Sequence, residues 1–510
     1  MTRQQEQDCE RLLRERFGVA GFRPGQRQAV ETLLQGRDLI ALFPTGAGKS
    51  LCYQLPALML PGMTVVISPL IALMRDQVAH LTARGIPAVC LDSLQRPEDF
   101  AASLRQAMQG EARLVYVSPE RLETPAFQRL SRTRTISLLV VDEAHCAVQW
   151  GESFRPAYGR IRDFLAGLKE RPAVCAMTAT LDGRMRRALR RSLGLRRPRQ
   201  LTLPLIRENL VYTVRTTTDP LRDIVHLAGE HPGEKGLVFC RTRKACEAAA
   251  EQLCRAGIRA SFYHAGLERE RRDREQERFT EGRTDVLACT SAFGMGVDIP
   301  DIRFVVHTSV PENVTDYAQQ TGRAGRDGAP SECVLLLDPA DLVRKNLHFA
   351  AARQQAARVS LLRPLSRFRA RGKLRREGRE IRTVLQLALS GDCLPQGLAR
   401  AFGQHVPPCG RCSACRRSAA MGSRIPLAPV PDLAAVGGVD IRLWALRWQR
   451  DALAARLGLP PLQVMGEETM EKTARTGRLL PGDCVPEAYE PMRRLVERME
   501  RREETGAGLR

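Results

Sequence analysis

The chain has 510 residues, 43% of them apolar, so it can build large cores and is not wholly disordered. The length predicts about three or four domains. A net charge of +22 favours a polyanionic partner, nucleic acid before an anionic membrane surface. The sequence contains neither a run of about 18 apolar residues nor the apolar core of a signal peptide. We therefore expect no membrane span and a cytoplasmic protein, nucleoid-associated if bacterial.

Short apolar runs alternate with charged, helical stretches over the first two thirds of the chain. One series comprises residues 39–42, 64–67, 114–117, 138–141 and 174–177, and a second comprises 237–240, 261–263, 286–289, 304–307 and 334–337. Strands without polar alternation, separated by helices, are typical of parallel sheets covered on both faces. The sequence therefore predicts two α/β domains that meet at the Arg- and Pro-rich segment 196–205.

The first apolar run is followed by Phe-Pro-Thr-Gly-Ala-Gly-Lys-Ser, residues 43–50, and then by a predicted helix. Glycines let backbone N–H groups surround a phosphate, and a helix N-terminus adds partial positive charge. Lys49 can reach the β- and γ-phosphates of ATP, and the Ser50 hydroxyl can bind Mg²⁺. The other predicted phosphate-binding residues are Thr45, Gly46 and Gly48. The alternative is a chance Gly-rich turn, since Phe43 replaces the first glycine of the strict pattern.

The apolar run 138–141 ends in two carboxylates at the edge of the sheet where ligands bind. Asp142 is predicted to hold Mg²⁺, and Glu143 to orient or deprotonate the attacking water. An Asp-Glu pair after a strand is common in solvated loops, so the preceding phosphate loop is what favours the catalytic interpretation.

A third constellation, Gln-Gln-Thr-Gly-Arg-Ala-Gly-Arg at residues 319–326, lies in the second α/β domain. Arg323 and Arg326, three residues apart, are predicted to share one helical face. Each could meet a phosphate across a domain cleft, with Gln319 as a further catalytic residue. The alternative is an Arg-rich surface helix.

These motifs, in this order, resemble those of superfamily-2 helicases, and more narrowly of the RecQ DNA helicases, over about four fifths of the chain. The resemblance implies two RecA-like motor domains and adenine contacts from Arg23 and Gln26. Further segments that match family motifs are 68–70 with 76–77, 142–145, 177–180, 239–240 with Arg243, 263–267 and 292–298.

The segment that favours RecQ over other helicases is 146–156, which resembles the family's aromatic-rich loop. The resemblance implies that this loop couples DNA binding to ATP hydrolysis. Trp150 and Phe154 can stack on bases, and Arg155 can meet phosphate or base. The alternative for Trp150 is an ordinary core aromatic.

Four cysteines, Cys393, Cys409, Cys412 and Cys415, supply enough thiolates for a closed tetrahedral Zn²⁺ site. The family has a similar site directly after the second motor domain, on a platform of helices. His405 is a nearby alternative ligand, and unliganded structural cysteines are the alternative to a metal site. The basic stretch from residue 353 to 382 is either a phosphate-binding strip or a solvated helix.

About ninety residues follow Cys415, without the β-rich stretch that the family's winged-helix domain needs. Two helices are expected instead, at 443–457 and 460–474, with Trp444 and Trp448 on a buried face. They weakly resemble a helicase-and-RNase-D C-terminal module. The predicted organisation is a first motor domain at 1–205, a second at 206–345, a helical zinc domain at 346–418, a Pro-rich linker at 419–440 and a small helical segment at 441–510.

The function expected from this resemblance is 3′-to-5′ unwinding of DNA driven by ATP and Mg²⁺. Single-stranded, tailed or forked DNA is the expected partner, in DNA repair or recombination. A DNA-stimulated translocase or strand-annealing factor with weak unwinding is one alternative. A non-catalytic zinc scaffold that binds DNA is another, and the intact Lys49, Asp142, Glu143 and Arg326 argue against it.

Overall fold

The computed structural model describes residues 1–500 except 45, 150–155, 180, 182, 218, 294–298, 360–363, 417–432 and 434–435. These residues form two compact units. The first comprises Met1–Arg207, a short segment near residue 300 and Ala399–His405, and the second comprises most of the remaining chain from Glu208. No helix among the described residues is long and apolar enough to cross a membrane.

The first unit is built on a seven-stranded parallel sheet with strand order β3-β4-β2-β5-β6-β1-β7. Its strands are β1 Leu39–Leu42, β2 Met63–Ile67, β3 Ala88–Leu91, β4 Leu114–Val117, β5 Ile136–Val141, β6 Ala173–Thr178 and β7 Arg199–Thr202. Alternate side chains of the inner strands enter two separate cores, as Ile40 and Leu39 of β1 do. This two-sided burial explains why the inner strands are apolar throughout.

Helices surround this sheet. They are α1 Arg3–Phe17, α2 Gln26–Leu34, α3 Leu51–Met59, α4 Ile71–Ala83, α5 Pro97–Gln109, α6 Pro125–Thr133, α7 Cys146–Gln149, α8 Ile161–Ala166 and α9 Gly183–Ser192, with 3₁₀ turns at Pro119–Glu123 and Pro156–Arg160. Among them, α1 begins with a capping box in which Thr2 and Gln5 exchange hydrogen bonds. It ends at Gly18, whose φ of +66° suits a left-handed C-cap.

The second unit has a six-stranded parallel sheet with strand order β10-β11-β9-β12-β13-β8. Its strands are β8 Leu210–Thr216, β9 Lys235–Phe239, β10 Ala260–Tyr263, β11 Val286–Cys289, β12 Ile302–His307 and β13 Ser331–Leu337. The sheet packs against α10 Pro220–Gly229, α11 Arg243–Arg255, α12 Arg269–Thr280 and α13 Val314–Thr321. Both sheets confirm the predicted α/β class with two parallel-sheet domains.

The rest of the chain is helical. It contains α14 Pro339–Val359, α15 Pro364–Leu389, α16 Leu394–Ala401, α17 Gly438–Leu457, α18 Pro461–Val464, α19 Glu467–Thr476 and α20 Pro486–Glu500, with a 3₁₀ turn at Pro481–Asp483. No strand occurs between residues 436 and 500. The second predicted helix, 460–474, is in fact two helices, because Met465 is extended and Gly466 begins a new helix as its N-cap.

The C-terminal helices are part of the second unit. Helix α17 packs on α14, and α20 packs on both. At the end of β13, Asp338 is almost fully buried and forms ion pairs with Arg344 of α14 and Arg498 of α20. The Asn346 amide donates to the carbonyl oxygens of Leu433 and Val436, at 2.9 and 3.0 Å. These contacts attach Leu433 and residues 436–500 to the second sheet and α14.

Candidate nucleotide site and cysteine cluster

The predicted phosphate loop begins where three neighbouring strands of the first sheet end. Strand β6 lies between β5 and β1, so their carboxyl ends meet at one edge of the sheet. The backbone N–H of Phe43 donates to the Thr178 carbonyl at 3.1 Å, which ties the start of the loop to the end of β6. Because β5 ends at Val141, this edge also carries Asp142 and Glu143.

The phosphate loop depends on two glycines with left-handed backbone conformations. Gly46 has a φ of +85° and Gly48 a φ of +73°, values that other residues adopt only at an energetic cost. Ser50 is the N-cap residue of α3, so the loop runs directly into a helix N-terminus. Lys49 lies close enough to Asp142 to act on its ionisation. Thr45 lies outside the described residues.

The two residues predicted to read adenine contact the phosphate loop itself. The Arg23 guanidinium donates to the Gly46 carbonyl at 3.0 Å. The Gln26 side chain, 2% exposed, accepts from the Arg23 backbone N–H at 2.7 Å. It donates to the carbonyl oxygens of Ala47 at 3.4 Å and Gly48 at 3.0 Å. Both N–H groups of the Gln26 amide are therefore used inside the protein.

Asp142 and Glu143 form an electrostatically costly pair. Burial and the adjacent Glu143 carboxylate raise the pKa of Asp142 to about 6, and Lys49 acts in the opposite direction. Glu143 has a φ of +46°, a left-handed conformation that is strained for a residue with a side chain. Its backbone N–H donates to the Asp142 carboxylate at 2.9 Å. Local strain and an unfavourable buried charge of this kind are typical of functional sites.

His145 connects this carboxylate pair to the end of β6, a contact that the sequence motifs did not predict. Its Nδ1 lies 3.0 Å from the Thr178 hydroxyl and 3.2 Å from the Glu143 carboxylate. Burial acts to lower the pKa of His145, but hydrogen bonds with Cys146 and Glu143 outweigh it and raise the pKa to about 10. The His145 ring therefore contacts both the Glu143 carboxylate and the end of β6.

The donor set at this edge suits Mg²⁺. Asp142 offers carboxylate oxygens and Ser50 a hydroxyl, and both are the hard oxygen ligands that this ion prefers. Glycine N–H groups, Lys49 and the helix N-terminus are the groups that bind a polyphosphate. Together they can bind a nucleoside triphosphate and hydrolyse it.

The second unit places Gln319 on α13, but the helical face predicted for the two arginines is wrong. Helix α13 ends at Thr321, and Arg323 and Arg326 lie in the turns that follow. Within these turns Gly325 has a φ of +55°, and a Cβ there would come within 2.4 Å of the Asn209 amide nitrogen, so this position requires glycine. That amide donates to the carbonyl oxygens of Gly325 and Ala329, both at 2.8 Å. Arg323 and Arg326 therefore lie in a turn that the Asn209 side chain stabilises by hydrogen bonds.

The predicted DNA-coupling residues Trp150, Phe154 and Arg155 lie outside the described residues. The same holds for residues 294–298 of the segment 292–298. The roles assigned to these residues stay predictions.

The four cysteines Cys393, Cys409, Cys412 and Cys415 form one cluster, in which the sulfur atoms all lie within 4.8 Å of one another. Backbone N–H groups donate to three of the sulfurs, namely those of Cys393, Cys409 and Cys412, at 3.2 to 3.5 Å. Such donors favour thiolates, the form that binds metal. A tetrahedral zinc–sulfur site needs sulfurs about 4 Å apart, so the cluster fits zinc. His405 is not part of this cluster.

The cysteine loop is attached to the edge of the second sheet. The Ser413 hydroxyl, between two of the cysteines, accepts from the Val214 backbone N–H of edge strand β8 at 3.1 Å. On its other side, β8 is paired with β13 along its whole length. The Ser413 hydroxyl therefore provides a hydrogen-bond acceptor for the Val214 N–H group, which at an exposed sheet edge would bond only to solvent.

Comparison with known proteins agrees with this architecture. The DEAD/DEAH box helicase family model matches residues 23–188, and the helicase conserved C-terminal domain model matches residues 218–328. The solved structure of DUF1998 helicase MrfA bound to DNA aligns with a TM-score of 0.56 at 20% identity, covering 67% of this chain and 52% of that chain. The fold and the site define a helicase with two RecA-like domains.

Comparison with individual relatives identifies the family within this class of helicases. The ATP-dependent DNA helicase RecQ of Bacillus subtilis (strain 168) is 36% identical over 406 residues, which are 79% of this chain and 66% of that protein. The ATP-dependent DNA helicase RecQ of Pasteurella multocida (strain Pm70) is 37% identical over 400 residues, 78% of this chain and 61% of that protein. The chain belongs to the RecQ family. It spans slightly less than two thirds of the length of these relatives.

Proposed function

We propose that the chain is an ATP- and Mg²⁺-dependent DNA helicase that moves 3′ to 5′ on single-stranded DNA and separates duplexes in DNA repair or recombination. The observation that supports this most is the meeting of the phosphate loop, Asp142 and Glu143 at one sheet edge in a RecQ-family chain. The predicted domain limits, the cytoplasmic location and the individual residue roles belong to the same proposal.

In this proposal, the residues at the sheet edge have separate roles in ATP hydrolysis. The loop N–H groups and Lys49 bind the phosphates, and Ser50 and Asp142 hold Mg²⁺, which neutralises phosphate charge. Glu143, held by His145, orients the attacking water and accepts its proton. Gln319, Arg323 and Arg326 stabilise charge that develops on the transferred phosphoryl group. Trp150, Phe154 and Arg155 connect this cycle to DNA.

The proposal includes a structural zinc ion on Cys393, Cys409, Cys412 and Cys415. A closed set of four thiolates leaves no open position for catalysis, so the ion would contribute folding energy. Because Ser413 contacts β8, the zinc loop stabilises the edge of the second motor sheet.

Glu143→Gln is the variant that tests the catalytic assignment. It should bind ATP normally but lose turnover by about 10²-fold or more, since the amide cannot accept a proton. Glu111→Gln, on an exposed surface of the same unit, should hydrolyse ATP at the wild-type rate. DNA-stimulated ATPase and unwinding of a 3′-tailed duplex are the measurements. Normal turnover in Glu143→Gln, or a preference for a 5′ tail, would contradict the proposal.

A translocase with weak strand separation is the second candidate. It is favoured by the all-helical character of residues 436–500, because a β-hairpin that could wedge a fork is absent there. Each base-pair step costs about 1.4 kcal/mol of stacking to undo. We expect unwinding of short tailed or forked DNA to decline steeply as the duplex lengthens and as salt rises. Efficient unwinding of long duplexes would exclude this candidate.

A further inference from the structure

A pocket of about 430 Å³ lies in the second unit, where the C-terminal helices meet the end of β8. It brings together residues that are far apart in the sequence. The end of β8 contributes Thr216, and the start of α10 contributes Arg222. Helix α17 contributes Gln449 and Arg456, and α20 contributes Glu490 and Arg494. The phosphate loop lies in the other unit, so this pocket is not the ATP site described above.

The charge in this pocket is positive. Its single carboxylate, Glu490, accepts hydrogen bonds from Arg493 and Arg494, all at 2.9 Å, and these bonds lower the pKa of Glu490 to about 2. Glu490 is thus already neutralised by its neighbours on α20. Arg222 donates only its backbone N–H, to Asp219, and the side chains of Arg222 and Arg456 form no hydrogen bond or ion pair with any residue that the structure describes. Two guanidinium groups therefore remain to bind an anion.

Gln449 adds an independent indication of a ligand. Its side chain is 6% exposed, and its carbonyl oxygen is buried without a hydrogen-bond partner among the described residues. A buried amide oxygen without a partner is costly and rare in native structures. A ligand that carries hydrogen-bond donors as well as negative charge would satisfy both this oxygen and the two guanidinium groups.

We propose that this pocket binds a nucleoside phosphate. Arg222 and Arg456 would bind the phosphate, and Gln449 would accept a hydrogen bond from the sugar or base. The pocket volume lies within the range of small-ligand sites and suits a single nucleotide. The same chemistry is presented by a free nucleotide and by the phosphorylated end of a DNA strand. Binding here does not depend on whether the chain unwinds DNA.

The test titrates the full chain into dTMP and follows the ³¹P NMR line of the nucleotide. Wild type and Lys49→Ala should broaden the line equally, because the phosphate loop is not involved. The double variant Arg222→Ala/Arg456→Ala should weaken binding at least about tenfold, as expected for lost charge-assisted hydrogen bonds. Arg475→Ala is the matched control, since Arg475 is an exposed arginine in the last turn of α19 and does not line the pocket.

Gln449→Leu separates ligand binding from folding. It removes the unpaired buried carbonyl, so its melting temperature should equal or exceed that of the wild type while dTMP affinity falls. Competition by a decanucleotide with a 5′-phosphate, but not with a 5′-hydroxyl, would identify a DNA end as the source. Failure of both to compete would identify a free nucleotide. The proposal is overturned if neither dTMP nor the phosphorylated decanucleotide binds, or if binding survives the loss of both arginines.

Discussion

Replacing Gln26 by alanine tests whether this residue reads adenine, supports the phosphate loop, or does both. The sequence resemblance implies contact with the base. In the structure, both amide hydrogens are committed to Ala47 and Gly48, so the side chain can only accept a hydrogen bond from adenine in this conformation. A bidentate contact with the base would require the loop bonds to break. If Gln26 contacts the base, that contact is coupled to the conformation of the loop.

The size of the effect follows from the two loop bonds. One has a normal length of 3.0 Å and the other is long, at 3.4 Å. A net contribution of about 1 kcal/mol for each gives about 2 kcal/mol in all, or roughly a 30-fold change in an equilibrium constant. Since loop disorder affects every nucleotide, the affinities for ATP and GTP should fall together by about this factor. Any loss of base recognition should appear in addition, for ATP only.

Isothermal titration calorimetry with ATP and with GTP measures both components. Gln28→Ala is the matched control because Gln28 is exposed on the same helix, α2. It should bind both nucleotides like the wild type. If Gln26→Ala lost affinity for ATP while GTP binding stayed unchanged, the two hydrogen bonds to the loop would contribute nothing to nucleotide affinity, and the prediction would be wrong.

Three further variants test other parts of the chain. Asp142→Asn should stabilise the nucleotide-free protein by at most about 3 kcal/mol at pH 7, because the pKa of Asp142 is raised from 3.8 to about 6. Chemical denaturation should show that this gain in stability vanishes as the pH falls from 6 to 4. An unchanged or lower stability of the variant at pH 7 would contradict the prediction. Cys412→Ala should lose bound zinc and melt at a lower temperature, whereas Cys254→Ala, which removes an exposed cysteine, should keep its zinc. If mass spectrometry finds no zinc in the wild-type protein, the proposed zinc site is wrong. Trp150→Ala should keep its basal ATPase rate but lose stimulation by single-stranded DNA, and an equal fall in both rates would identify Trp150 as a core residue.

The inner strands of both sheets could be predicted because burial on two faces leaves an unbroken apolar run. Three edge strands were missed; β7 and β8 lack this pattern, whereas β3 (Ala-Val-Cys-Leu) has it and was overlooked. Strand β7 (Arg-Gln-Leu-Thr) alternates between half-buried and exposed residues at one edge of the first sheet, and β3 lies at the other edge. The predicted seam at 196–205 contains β7, so it is part of the first sheet. Strand β8 forms an edge of the second sheet and ends in exposed residues.

Candidate site residues could be recognised where their proposed chemistry requires a local sequence pattern. Phosphate binding needs glycines next to a helix N-terminus, and a zinc site needs closely spaced cysteines. The hydrogen bond from Val214 to Ser413 joins residues 199 positions apart, so no local sequence pattern indicates it. The same holds for the contact of His145 with Thr178, which depends on the order of the strands. Arg323 and Arg326 show the opposite error, because their regular spacing indicated a helix, but α13 ends at Thr321, before both of them.

Backbone strain and unfavourable charge occur together at one edge of the first sheet. Glu143 is held in a left-handed conformation, and Asp142 carries a charge that its surroundings disfavour. Neither feature would persist in an isolated loop, because each raises the free energy of the folded state. They persist because β1, β5 and β6 are fixed from both faces by buried side chains. The apolar strands from which the fold could be predicted are thus also what allows this edge of the sheet to remain strained and charged.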